Sequence, residues 1–205
     1  MADMFPVLRV LGILVMVFAM AMGLPLGVSW FMQDGVWRVY PQAMGFTLCV
    51  GAALWWGMRR HARELQPRHG VMLVSLVWSL LPLFASLPLI LACQQVGRPM
   101  SFTDAYFEAV SGITTTGSTV IFGLSDLPEG TNLWRGMLNW LGGLGIAFIA
   151  MIFLPVMRVG GMQFFKTEGF DTMGKILPRA SDIAISLLGI YAGLTALCML
   201  VYRMI

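Results

Sequence analysis

Ser111-Gly112-Ile113-Thr114-Thr115-Thr116-Gly117-Ser118-Thr119 is a small, hydroxyl-rich run inside a chain otherwise made of long apolar stretches. Three consecutive threonines between glycines gain nothing by facing lipid. Hydrocarbon cannot hydrogen-bond a free amide or carbonyl, so irregular backbone survives at membrane depth only when protein covers it or when it lines a water-filled path. An acidic, helix-like segment at 101–110 precedes the run, and a fresh apolar stretch follows it. This order predicts a re-entrant loop. A short helix enters, a strand of exposed carbonyls returns, and a cation exchanges its water for those carbonyls.

The 205 residues are 58% hydrophobic and only 11% charged, with a mean hydropathy of +0.80. A soluble domain carries about 25% charged residues, so the chain reads as an all-α integral membrane protein. Apolar runs at 10–33, 39–58, 71–93, 136–157 and 183–202 each supply the ~20 residues a helix needs to cross a bilayer. The first run exceeds the roughly 7–15-residue core of a signal peptide and is taken as an uncleaved span. Pro25, Pro82, Pro88 and Pro155 interrupt or end some spans, which membrane helices tolerate when neighbours repair the lost hydrogen bonds.

Charge sidedness decides how residues 101–125 are threaded. Arg59, Arg60, Arg63 and Arg68, with His61 and His69, fill the loop 59–70, and Arg158, Lys166, Lys175 and Arg179 fill the loop 158–182. The positive-inside rule makes both loops cytoplasmic. Two spans lie between them, so a third crossing at 101–125 would put one basic loop outside. A segment that dips in and returns satisfies the rule, and Asp104 and Glu108 also argue against a full crossing. Asp34, Asp104, Asp126 and Glu129 then lie on the outer side with Arg38, Arg98 and Arg135, a mildly acidic entry face.

Within the re-entrant unit, Ser101 or Thr103 is positioned to cap a helix whose first turn holds Asp104. Residues 105–110 form a short pore helix with its negative pole aimed at 112–116. Thr114, Thr115 and Thr116 offer backbone carbonyls, and β-branching favours an extended conformation for them. Gly117 supplies conformations that inward-facing carbonyls require. No carboxylate lies within 113–119, which suits a monovalent ion better than a divalent one.

Other chemistry is poorly supported. Gly142-Gly143-Leu144-Gly145 lacks the strand and the Lys-Ser/Thr of a phosphate loop and reads as close helix packing. Both histidines lie in a basic loop, away from any serine at membrane depth. Cys49, Cys93 and Cys198 have no metal-ligand spacing. Trp55, Trp56, Trp134 and Trp140 lie near span ends and read as an interfacial belt. The chain is therefore expected to be no enzyme and to hold no cofactor.

Three motifs in order carry a family resemblance: 107–119 (FEAVSGITTTGST), 133–145 (LWRGMLNWLGGLG) and Leu154-Pro155 with Arg158-Val159-Gly160-Gly161-Met162-Gln163. They closely resemble the bacterial TrkH-type potassium uptake proteins of the Trk/Ktr/HKT superfamily. The resemblance implies a preliminary helix pair at 1–60, a basic cytoplasmic loop at 61–70, a first span–pore loop–span repeat at 71–160, a cytoplasmic loop at 161–182, and the first helix of a second repeat at 183–205. It implies potassium transport, with the carbonyls of Thr115 and Thr116 binding K+ and Thr114, Gly117 and Ser118 shaping the filter. It also implies a multi-pass protein of the bacterial inner membrane in contact with lipid. A homodimer and a cytoplasmic nucleotide-binding regulatory subunit follow in the same way, and no nucleic acid is involved.

The family surrounds its ion path with four such loops, and this sequence holds one. One loop cannot enclose an ion. The sequence therefore reads as an N-terminal portion of a longer transporter, with a non-conducting membrane fragment or assembly subunit as the alternative.

Overall fold

The computed structural model describes residues 4–59, 67–157 and 180–204. The basic segments at 60–66 and 158–179, to which most of the sidedness argument belongs, lie outside the described residues. Among the described residues seven α-helices follow in order: α1 (Phe5–Ala21), α2 (Gly23–Met32), α3 (Val39–Met58), α4 (Pro67–Gln95), α5 (Phe102–Ile113), α6 (Glu129–Met157) and α7 (Ala180–Met204), with a 3-10 turn at Leu124–Asp126 before α6. All five expected spans are helical. Among the described residues, Phe5–Met32, His69–Gln95 and Ile185–Met204 are long and apolar enough to cross a membrane by length and composition.

Two compact units are present, Met1–Gly143 and Leu144–Ile205. The second contains the end of α6 and the whole of α7.

The first apolar run is broken into α1 and α2 at Met22. Pro25 explains the break: it has no N–H for the carbonyl four residues earlier, and its ring crowds that turn. α1 packs along α3 through two glycines. A Cβ on Gly12 would lie 2.8 Å from the Gly51 carbonyl oxygen, and one on Gly51 would lie 2.9 Å from that of Gly12. Small residues allow this backbone approach in a membrane, where packing rather than hydrophobic collapse drives association.

The core joins α1–α3 to α4, α5 and the start of α6. Phe18, Met22, Val36 and Tyr40 pack in one cluster with Ala85 and Leu89 of α4, Ala105 and Ala109 of α5, and Trp134 and Leu138 of α6. Trp134 is fully buried, its ring 5.5 Å from that of Phe18, so it belongs to the core and not to the interfacial belt expected from its position. Trp56, at 61% exposure, does keep its ring on the outside.

α4 runs through both Pro82 and Pro88. Each proline removes the donor for the carbonyl four residues earlier, Trp78 O and Phe84 O, and the next carbonyl along the chain accepts an aromatic donor in each case. Tyr106 of α5 donates its hydroxyl to Ser79 O at 3.1 Å, and Trp134 donates Nε1–H to Ala85 O at 3.0 Å.

Candidate functional site

The segment between α4 and α6 leaves and returns on one side of the unit. Gln95, at the end of α4, donates Nε2–H to Gly35 O at 2.6 Å, and Gly130, at the start of α6, donates its N–H to Asp34 Oδ2 at 2.9 Å. Both ends are thus fastened to the same turn between α2 and α3. An ion pair of Arg98 with Asp126, at 3.0 Å, bridges the mouth. The 12 residues of α5 reach about 18 Å at 1.5 Å per residue, too short to cross a hydrocarbon layer of about 30 Å. Residues 101–127 form a hairpin that leaves and returns on one side of the unit.

α5 starts where its sequence provides a cap. Ser101 is extended (φ −68°, ψ 156°), and its Oγ accepts the Asp104 N–H at 3.1 Å while donating to Asp104 Oδ2 at 2.7 Å. Ala105, Glu108, Ala109 and Gly112 are buried, the spacing of one helical face. The helix is longer than the expected 105–110. It takes in Ser111, Gly112 and Ile113, which composition assigned to the loop. These residues are helical because they face α6: a Cβ on Gly112 would lie 2.9 Å from Leu138 Cβ, and one on Gly142 would lie 2.0 Å from the Ile113 carbonyl oxygen. The backbones of α5 and α6 touch at Gly142, which gives that glycine the close-packing role read from the sequence.

The threonines begin as a helix cap and not as a strand, which corrects the extended conformation expected for them. Thr115 N–H bonds Gly112 O and Thr116 N–H bonds Ser111 O, both at 2.9 Å. Together these form a Schellman motif, which needs a left-handed residue at its turn. That residue is Thr115, with φ +57°; a β-branched side chain there is an outlier in backbone space. Thr114 sits near φ −84°, ψ 2°, and Gly117 has φ +75°. The helix C-terminus overrides the β preference because its last carbonyls must find donors. Thr114 Oγ1 and Thr116 Oγ1 are 2.8 Å apart, and Ser111 Oγ donates to Ser118 O at 2.6 Å. Thr115, Thr116, Gly117 and Ser118 are exposed, and the carbonyls of Thr115, Thr116 and Gly117 accept no hydrogen bond among the described residues. They are the free oxygens of the hairpin tip.

Glu108 holds the returning arm from behind. Its side chain is 3% exposed and paired with Arg135 of α6. Oε1 accepts from Arg135 Nε at 2.8 Å and also from an Nη group; Oε2 accepts from Thr119 Oγ1 at 3.0 Å and from Val120 N–H at 3.1 Å. Every lone-pair direction of the carboxylate is used, which is what a buried charge requires. Sequence reasoning treated Glu108 only as an obstacle to crossing and Arg135 only as an outer-face charge. The available signal was a carboxylate on the otherwise apolar face of a helix, which must have a buried partner. Asp34, Asp104 and Asp126 are also engaged, by Gly130, Ser101 and Arg98 respectively.

A cation at the tip would meet carbonyl and hydroxyl oxygens of one arc, fixed to a rigid scaffold. The family model of the TrkH cation transport proteins matches residues 38–205. The chain belongs to the TrkH cation transport family. It is 42% identical, over 96% of its length, to the Trk system potassium uptake protein TrkH of Halomonas elongata, and 38% identical, over 94%, to that of Escherichia coli K12. It covers 40% of each of those TrkH proteins. The crystal structure of the potassium transporter TrkH from Vibrio parahaemolyticus superposes with a TM-score of 0.82 at 34% identity, covering 98% of this chain and 39% of that one. Like its TrkH relatives, this is a membrane protein.

Proposed function

We propose that residues 71–157 supply one hairpin of a potassium uptake pore, in which the carbonyls of Thr115 and Thr116 take up K+ in place of its water. Thr114, Gly117 and Ser118 set the direction of those carbonyls. The observation that carries this reading is the hairpin tip, whose free carbonyls stand on a left-handed threonine and are braced by the buried Glu108–Arg135 pair. The negative end of α5 lies beside them, and a helix C-terminus favours a cation. Neutral oxygens without a carboxylate suit a monovalent ion.

A single arc does not close a ring. Conduction therefore requires further hairpins, and the chain spans about 40% of the relatives it matches. In this reading 1–60 is the preliminary helix pair and α7 opens a second repeat. The protein resides in the bacterial inner membrane with 59–70 and 158–182 cytoplasmic, as a homodimer served by a nucleotide-binding regulatory subunit. A non-conducting membrane piece is the second reading, favoured by the lone hairpin.

The test is growth and cation uptake in a host lacking its own potassium transporters, at limiting K+. The chain extended to the length of its relatives should restore growth, and Gly117→Ser in it should abolish uptake or lower the preference for K+ over Na+. Unchanged selectivity in that variant refutes the filter assignment. Growth restored by the 205 residues alone would show that copies assemble a ring.

A further inference from the structure

Ser111, in the last turn of α5 and 4% exposed, holds the hairpin tip with both of its oxygens. A serine inside a helix can turn its hydroxyl back to the carbonyl of the preceding turn, as Thr114 Oγ1 does to Val110 O at 2.8 Å. Ser111 Oγ instead reaches seven residues forward and donates to Ser118 O at 2.6 Å. A hydroxyl has one proton, and here it goes to the returning arm. The Ser111 carbonyl oxygen accepts from Thr116 N–H at 2.9 Å and from Gly117 N–H at 3.4 Å. A trans peptide is planar, with its N–H and C=O directed oppositely. Holding Thr116 N–H against α5 therefore points the Thr115 carbonyl away from α5. Holding Gly117 N–H does the same for the Thr116 carbonyl.

We propose that Ser111 is a positioning residue for ion preference at this hairpin: its carbonyl aims the Thr115 and Thr116 oxygens, and its hydroxyl fixes the far end of the same arc. The inference rests on the filter reading given above and adds the residue that holds the filter in register. Packing does not fix that far end. A cavity of about 40 Å³ lies beside the bond, bordered by Ser111, Gly117, Ser118 and Asn139 among others. Gly117 adds no restraint, since nothing lies within 4 Å of the point where a Cβ would stand. Beyond Ser118 the arm is held separately, by Glu108 Oε2 at Thr119 Oγ1 and Val120 N–H. Without the Ser111 hydroxyl, the peptide after Ser118 has room to rotate, and the carbonyls before it lose one of their two anchors. Carbonyls held at one spacing distinguish K+ from the smaller Na+, and they do so less well once one end of the set can turn.

The test is K+ and Na+ uptake by the chain extended to the length of its relatives, in a host lacking its own potassium transporters, at matched amounts of protein in the membrane. Ser111→Ala removes the hydroxyl, keeps the carbonyl and favours the helix. It should lower the K+/Na+ uptake ratio about 2–10-fold, the factor that one net hydrogen bond is worth. Ser111→Thr retains the hydroxyl and should keep the parent ratio. Gly117→Ser, measured beside them, reports on the filter reading itself. A parent ratio in Ser111→Ala with a lowered one in Gly117→Ser overturns the positioning role and leaves the filter standing. An equal loss in Ser111→Ala and Ser111→Thr also overturns it, because the effect is then one of packing. Parent ratios in both Ser111→Ala and Gly117→Ser refute the filter reading, and this inference falls with it.

Discussion

Trp134 and Ala85 are joined by a hydrogen bond across two spans: the indole N–H of α6 reaches the α4 carbonyl that lies three residues before Pro88, at 3.0 Å. Trp134→Phe should keep most of the buried ring and lose the donor. Losing this hydrogen bond is expected to cost about 0.5–1.5 kcal/mol, seen as a lower unfolding temperature in detergent. Trp134→Ala should cost about 3–5 kcal/mol. Equal stability of the Phe variant and the parent would mean that the Ala85 carbonyl gains nothing from the indole beyond its own helix.

Removing one member of the Glu108–Arg135 pair should be worse than removing both. Arg135→Met leaves a buried carboxylate without its cation, a loss of about 3–5 kcal/mol. Adding Glu108→Gln to Arg135→Met should recover part of that loss. A double variant as unstable as the sum of the singles would show that the two side chains act independently.

Gly142 has no room for a methyl group. The contact of 2.0 Å to Ile113 O is with backbone, which cannot swing aside. Gly142→Ala should therefore cost at least the upper part of the roughly 1–3 kcal/mol range for overpacking, and it should displace the end of α5. Gly136→Ala, where nothing lies within 4 Å of the added carbon, is the matched control and should leave the unfolding temperature unchanged.

Thr115 stands at φ +57°, a conformation that costs an ordinary L-residue roughly 1–2 kcal/mol. Thr115→Gly should raise stability by up to about 1 kcal/mol. Thr115→Pro should lower it, because proline cannot reach this φ and removes the N–H that bonds Gly112 O. Stability that moves in the opposite order would exclude the Schellman geometry.

Much of the architecture was legible because a membrane leaves few choices. Long apolar runs had to be helices, and the shortness of the 101–113 segment limited it to a hairpin arm. The motifs also placed the chain in its family. The limits of α5 were not legible, because Ser111 and Gly112 are loop-like by composition and become helical only through their packing against Leu138. Trp134 was misplaced for a similar reason. Its position near a span end suggests an interface, while the residues that bury it and the carbonyl it bonds lie in other helices. Threonine's β preference gave way to the hydrogen-bond needs of a helix end. The Glu108–Arg135 pair spans 27 residues of sequence, beyond the reach of any local pattern.

That separation also imposes an order on biosynthesis. Glu108 leaves the ribosome before Arg135, so the hairpin begins to enter the translocation machinery while the cation that will pair with its carboxylate is still behind it in the emerging chain. The hairpin can settle into apolar surroundings only after the first turns of α6 arrive, and until then water or the insertion apparatus must accommodate that charge.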